Sequence, residues 1–147
     1  MSKLLSRMSR WALVLVASTA PAFGLGGLAV TNLPLDGNFA GWATNAKAKT
    51  LLGDFDGDGR TDIALTGVAS WNFLPIAFSN NDGTFWVTDQ PIGDFATWAT
   101  TPNVQILVGD FNNDRKADIA LTGPSGWATV PVAFSNGDGT FNVQNQE

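Results

Sequence analysis

From residue 48 onward, short apolar stretches alternate with turn signals. Ile63 and Leu65 alternate with Ala64 and Thr66, and Ile76 and Phe78 alternate with Pro75 and Ala77. A period of two is the pattern of β-strands, with successive side chains on opposite faces. It predicts strands near 48–53, 62–66, 73–79 and 84–89, and again near 104–109, 118–122, 129–135 and 140–145. Large apolar residues fall on one face of such a strand and Ala, Thr and Ser on the other, so a second sheet could approach closely. Gly67 through Ser70, Asn80-Asn81-Asp82-Gly83, Gly123 through Gly126 and Asn136-Gly137-Asp138-Gly139 supply the turns between strands. No stretch after residue 27 shows helical periodicity. The fold class expected is all-β.

The strands belong to an internal repeat. Residues 38–91 align with 94–147 at a constant offset of 56 without a gap, and 28 of the 54 paired positions are identical. Asp62-Ile63-Ala64-Leu65-Thr66-Gly67 recurs as Asp118-Ile119-Ala120-Leu121-Thr122-Gly123. Ala77-Phe78-Ser79-Asn80 recurs as Ala133-Phe134-Ser135-Asn136. Units of this length stack so that each buries its apolar face against the next. Four strands per unit predict two four-stranded antiparallel β-propeller blades. Leu28-Ala29-Val30-Thr31-Asn32 is similar to Phe85-Trp86-Val87-Thr88-Asp89, so an orphan final strand precedes the first repeat.

Each unit opens on an acidic loop. Asp54 to Asp62 reads D-F-D-G-D-G-R-T-D, and Asp110 to Asp118 reads D-F-N-N-D-R-K-A-D. Oxygen side chains stand at positions 1, 3, 5 and 9 of both. Hard divalent cations take several oxygen ligands at about 2.3–2.6 Å, and carboxylates on alternate residues of a short loop can wrap one ion. The bland alternative is an Asp/Asn-rich turn that holds no metal.

The run Gly53-Asp54-Phe55-Asp56-Gly57-Asp58-Gly59-Arg60-Thr61-Asp62-Ile63-Ala64-Leu65 resembles the calcium loop of FG-GAP (VCBS-type) repeats. Such repeats form the blades of integrin α-subunit propellers and of many secreted microbial proteins, some of them sugar-binding lectins. The resemblance spans residues 28–147, although the literal Phe-Gly and Gly-Ala-Pro words of the integrin version are missing. It implies a structural calcium between the first two strands of each blade. Asp54, Asp56, Asp58 and Asp62 would then ligate through side-chain oxygens and Arg60 through its carbonyl. Asp110, Asn112, Asp114, Lys116 and Asp118 would do the same in the second loop. Gly59 permits a sharp turn with positive φ. Arg115 replaces that glycine and Asn112 removes one charge, so the second loop should bind more weakly.

Tryptophan also recurs. Trp42 pairs with Trp98 and Trp71 with Trp127, whereas Trp86 is replaced by Asn142. Repeated aromatics usually fill gaps between sheets, and Trp42 and Trp98, beside Phe and Ala, are read as core. Trp71 and Trp127 stand in turns containing Gly and Ser. They are the candidate ligand-binding residues, offering faces on which a sugar ring would stack. Trp86 is read as an interface or exposed residue.

Composition narrows the function. The 147 residues include no cysteine or histidine, but six tryptophans and ten phenylalanines. With neither a histidine base nor a cysteine nucleophile, and no serine in a nucleophile elbow, the chain is not expected to be an enzyme. Lys3, Arg7 and Arg10 precede the apolar run Trp11 to Ala20, and Ala22-Phe23-Gly24 offers a cleavage site. Residues 1–24 are therefore read as a signal peptide of a secreted or cell-surface protein; a membrane anchor is the alternative. Removing them leaves five basic and thirteen acidic residues, a net charge of −8, with seven of those acids in the two loops. Nucleic acid would be repelled. Bound calcium would take the place of the disulfides common in small secreted domains.

The organisation expected is a signal peptide (1–24), a leading strand and linker (25–48), repeat one (49–91) and repeat two (92–147). The function expected is a non-catalytic calcium-binding module, with carbohydrate as the first ligand class. A protein-adhesion module through Trp86, or a structural propeller fragment of a longer secreted protein such as a hydrolase, are the alternatives. Closed propellers run to about 4–8 blades. Two blades are an incomplete ring unless the chain forms a homo-oligomer or belongs to a longer one.

Overall fold

The structure, a computed structural model, describes residues 38–145. The expected signal peptide and leading strand lie outside the described residues. Eight strands form two sheets with no strand exchanged between them: β1 (Lys49–Gly53), β2 (Asp62–Thr66), β3 (Phe73–Ser79) and β4 (Phe85–Pro91), then β5 (Gln105–Gly109), β6 (Asp118–Thr122), β7 (Val132–Ser135) and β8 (Phe141–Gln144). Each sheet is an antiparallel meander in sequence order. The fold is all-β, and each sheet has the build of a propeller blade.

Two expectations need correction. A helical turn precedes each sheet, α1 (Phe39–Ala43) and α2 (Asp94–Trp98). Five residues are too few to display a helical period, so only their apolar spacing hints at them: Phe39 and Trp42 in α1, Phe95 and Trp98 in α2. The strand expected at 129–135 begins only at Val132. In the first sheet β4 runs on to Pro91 and pairs Phe73 with Pro91 and Pro75 with Asp89. In the second, the β7–β8 pairing begins at Val132, opposite Gln144, the last residue of β8.

Register also changes the reading of the faces. Ile63 pairs with Ala77, and Ala64 with Ile76. The large residues of β2 therefore share a face with the small ones of β3, and neither face of the sheet is uniformly small. One face carries Leu51, Ala64, Leu74, Ile76 and Phe78. It packs against α2 (Phe95, Ala96, Ala99) and against Ile119, Leu121 and Ala133 of the second sheet, in one continuous core. The opposite face of the first sheet carries Leu65 and Ala77, with Ile63, Phe85 and Val87, and α1 covers it with Phe39 and Trp42. Burial of this kind stabilises by about 25 cal/mol per Å² of apolar surface removed from water.

The blades are also joined by hydrogen bonds. The Ala117 amide donates to the Asp54 carbonyl at 2.6 Å, and Ser135 Oγ donates to the Phe55 carbonyl at 2.6 Å. Gly53 lies at this junction. A Cβ there would fall 2.7 Å from Ala117 Cβ and 2.9 Å from Val108, so only glycine lets β1 and the second blade approach so closely.

Candidate functional site

The acidic loops link β1 to β2 and β5 to β6. Their shape is set by carboxylates that accept backbone amides. In the first loop, Asp54 Oδ1 accepts from Gly57 N at 2.7 Å and Asp58 N at 3.0 Å, and Oδ2 accepts from Gly59 N at 2.8 Å. Asp56 accepts from Asp58 N at 3.1 Å, and Asp58 accepts from Arg60 N at 2.8 Å. Gly57 and Gly59 take φ of 82° and 86°, the left-handed region in which glycine has no Cβ penalty. The need for positive φ at Gly57 escaped the sequence reading, which singled out Gly59 alone.

Asp54, Asp56 and Asp58 place one carboxylate oxygen each within 4.8 Å of one another, and these three could hold a metal ion. Burial pushes the Asp56 carboxyl above its ordinary range, and the like charges of Asp62, Asp58 and Asp54 add to it. Asp62 is raised first by its burial, with Asp58 and Asp54 contributing. Carboxylates crowded this way favour a proton or a cation among them. Arg60 answers part of the charge: its guanidinium pairs with Asp58, and its Nε donates to the Ser79 carbonyl at 2.7 Å.

Asp62, expected as a ligand, is fully buried and also serves the fold. Its Oδ2 accepts from Phe55 N at 2.8 Å and its Oδ1 from Ser79 N at 2.9 Å. Asp118 repeats this, accepting from Phe111 N at 2.9 Å and Ser135 N at 2.9 Å. Each carboxylate ties the loop to the third strand of its blade.

The second loop follows the same path with different side chains. Asn113 and Arg115 take φ of 64° and 71° where the first loop has glycines. Asp110 accepts from Asp114 N at 3.1 Å and Arg115 N at 2.9 Å. Asn112 accepts from Asp114 N at 3.0 Å and donates its amide to Asp114 Oδ2 at 3.1 Å. Lys116 Nζ pairs with Asp114 at 2.8 Å, which holds the Asp114 carboxyl below and the lysine above its ordinary value.

The tryptophans divide differently from the reading of core against ligand. In the first blade, Trp71 stacks on Phe73 at 5.5 Å between centroids and 23° between planes, and Trp42 meets the same Phe73 at 5.3 Å. Phe73 thus touches both tryptophans. In the second blade its position is taken by Thr129. There Trp98 and Trp127 line an open cleft of about 330 Å³ with Gly126, Ala128, Thr129, Pro131 and Asn145. Trp98, read as core, is half-buried and packs on the core as one wall of this cleft. The signal for it was in the repeat alignment, at the mismatch of Phe73 with Thr129. Trp86 is 40% exposed and stacks on Phe78 at 4.3 Å.

Four-stranded meanders stacked face to face, each opening on an aspartate loop between its first two strands, define a pair of β-propeller blades. Residues 54–121 match the family model of the FG-GAP-like repeat. The chain thus carries FG-GAP-like repeat sequence from the first acidic loop through the second to β6. A comparison with curated proteins finds no match. Among the described residues, no helix is long and apolar enough to cross a membrane.

Proposed function

We propose that this protein is exported and acts outside the cell as a non-catalytic, calcium-clamped binding module whose ligand is carbohydrate. The observation that carries the ligand class is the cleft between Trp98 and Trp127, open where Phe73 fills its counterpart. A sugar ring presents an apolar face to an indole, and the Asn145 and Thr129 side chains stand beside it for hydroxyl groups. Trp71, the other candidate, already stacks on Phe73.

The calcium assignment rests on donor chemistry. The Asp54, Asp56 and Asp58 cluster offers only oxygen, which suits a hard cation. Bound there, calcium would neutralise crowded carboxylates and lock the β1–β2 connection. Export rests on the basic and apolar pattern of residues 1–24. The chain has no histidine to serve as a general base, which argues against catalysis.

The test is a glycan array followed by calorimetry on Thr129→Phe and Thr129→Ser. Thr129→Phe recreates the first blade's filled cleft and should abolish binding without lowering the melting temperature, while Thr129→Ser should retain it. Binding that survives Thr129→Phe, or an array without a hit, would sink the reading. A second reading, a protein-adhesion module, has the exposed Trp86 in its favour. It would appear as an empty array together with a partner whose binding Trp86→Ala removes.

A further inference from the structure

Each blade has two faces, and identical residues have opposite fates on them. The first blade turns Leu51, Phe55 and Leu74 toward the second, where they are 8%, 0% and 1% exposed. The same repeat positions in the second blade are Leu107, Phe111 and Val130, which are 45%, 48% and 52% exposed. The apolar face that the second blade covers on the first is thus repeated, open, on the second.

The complementary face is also present. The second blade docks with Phe95, Ala96, Ala99, Ile119 and Leu121. The first blade carries the same residues at the same positions: Phe39, Ala40, Ala43, Ile63 and Leu65. Ala40 and Ala43 are exposed where Ala96 and Ala99 are buried. Leu52, which shares the Ile63 face and corresponds to the half-buried Val108, is 61% exposed.

We infer that the first blade of a second copy of this chain docks on the open face of the second blade, repeating the contact made within the chain. The polar links transfer as well. Thr61 stands where the Ala117 amide reaches the Asp54 carbonyl, and Ser79 stands where Ser135 Oγ reaches the Phe55 carbonyl. In the assembly, Thr61 N donates to the carbonyl of Asp110 and Ser79 Oγ to that of Phe111. The close approach transfers too. A Cβ on Gly53 would strike the second blade, whereas one on Gly109 meets only Phe111, at 3.4 Å. Gly109 leaves room for a neighbour that the described residues do not supply. A Cβ on Gly139 would strike Thr88 of the first blade, Gly83 stands at the same repeat position with the same positive φ, and the cleft beside Asn112, Lys116, Phe134 and Asn142 would receive its turn.

Two different faces meet, so the contact is head-to-tail and propagates until a ring closes. With two blades among the described residues and about 4–8 per propeller, a ring built from such copies would hold roughly two to four of them.

The test is light scattering with size-exclusion chromatography on the full chain and on two exposed-site variants, Leu107→Asp and Leu52→Asp. The wild type should run at a discrete multiple of the monomer mass. Each variant should run as a folded monomer, because each spoils one half of the contact. An equimolar mixture of the two should restore a dimer and nothing larger, since each retains the half the other lacks. Gly109→Ala should weaken assembly while leaving the circular dichroism spectrum unchanged. A wild type that stays monomeric at every concentration, oligomers that persist in both variants, or a mixture that remains monomeric would each overturn the inference.

Discussion

The two acidic loops trace one path with two chemistries. Both use their first aspartate to gather amides and their last to clamp the loop to the third strand. Both turn twice through positive φ, the first with Gly57 and Gly59, the second with Asn113 and Arg115. The glycines are therefore not what gives the loop its shape; carboxylate-to-amide hydrogen bonds are. The variable positions govern charge instead. Asp56 is pressed against like charges, whereas Asn112 has none and Lys116 neutralises Asp114. The two loops thus differ in charge while sharing a backbone path.

The largest break in this comparison comes from the shared clamp. Asp62→Ala leaves the buried amide of Phe55 and that of Ser79 without an acceptor. Each such loss costs about 1–3 kcal/mol, so urea unfolding should report a destabilisation of about 2–4 kcal/mol. Asp118→Ala should cost a similar amount, because it likewise frees one buried amide, that of Ser135, and one part-buried amide, that of Phe111. Clearly unequal losses would show that the two clamps are not equivalent.

Exchanging the charges should reverse the loops' order of affinity. Asp56→Asn lowers the first loop to the three carboxylates of the second, and Asn112→Asp raises the second to the four of the first. Calcium affinity follows the count of charged ligands. Calorimetry should show a loss of about tenfold in the first case and a gain of similar size in the second, each about 1.4 kcal/mol. Affinities that ignore both exchanges would mean that side-chain charge does not set binding.

Backbone strain gives a smaller, separable effect. Arg115 sits at φ 71° and Gly59 at φ 86°. A non-glycine residue in the left-handed region costs about 1–2 kcal/mol. Gly59→Ala should destabilise by about 1 kcal/mol, and Arg115→Gly should gain up to about 1 kcal/mol, offset in part by the freer unfolded chain. Thermal melts in a chelator, which keep cation binding out of the difference, read both signs.

Much of this was legible in the chain before its structure. The repeat, the four strands per unit and the oxygen spacing of the loops follow from period-two alternation and a fixed offset. What escaped needed three dimensions. Helices of five residues carry no period. The strand expected from Thr129 starts only at Val132, opposite Gln144, a limit set by cross-strand pairing that no local pattern encodes. Asp62 reads as a ligand in a row of aspartates, and only the fold reveals that its oxygens also accept the Phe55 and Ser79 amides. The cleft beside Trp127 is a missing side chain, visible once Phe73 is seen touching both Trp42 and Trp71.

The finest distinction between the loops is their response to protons. In the first, the carboxyls of Asp56 and Asp62 are raised, burial being the main cause. Folding then favours their protonated forms, so that contribution is complete below the ordinary carboxylate range and is lost as pH rises through the raised values. In the second, Asp114 is lowered by its bond to Lys116, so its contribution is present above the ordinary range and fades as pH falls through the lowered value. Without metal, acidification should tighten the first loop and loosen the second. Asp82 and Asp138 supply the control. Each is lowered by the hydroxyl and amide of the threonine two residues on, so both turns should loosen together. Carboxyl resonances followed by NMR in a chelator should show Asp56 titrating above Asp114, with Asp82 and Asp138 moving alike. Added calcium should shift Asp56 downward, because a cation among the carboxylates favours the charged form that burial opposes. If Asp56 and Asp114 titrated together, the two loops would differ in sequence but not in electrostatics, and the weaker cation binding argued for the second would lose its physical cause.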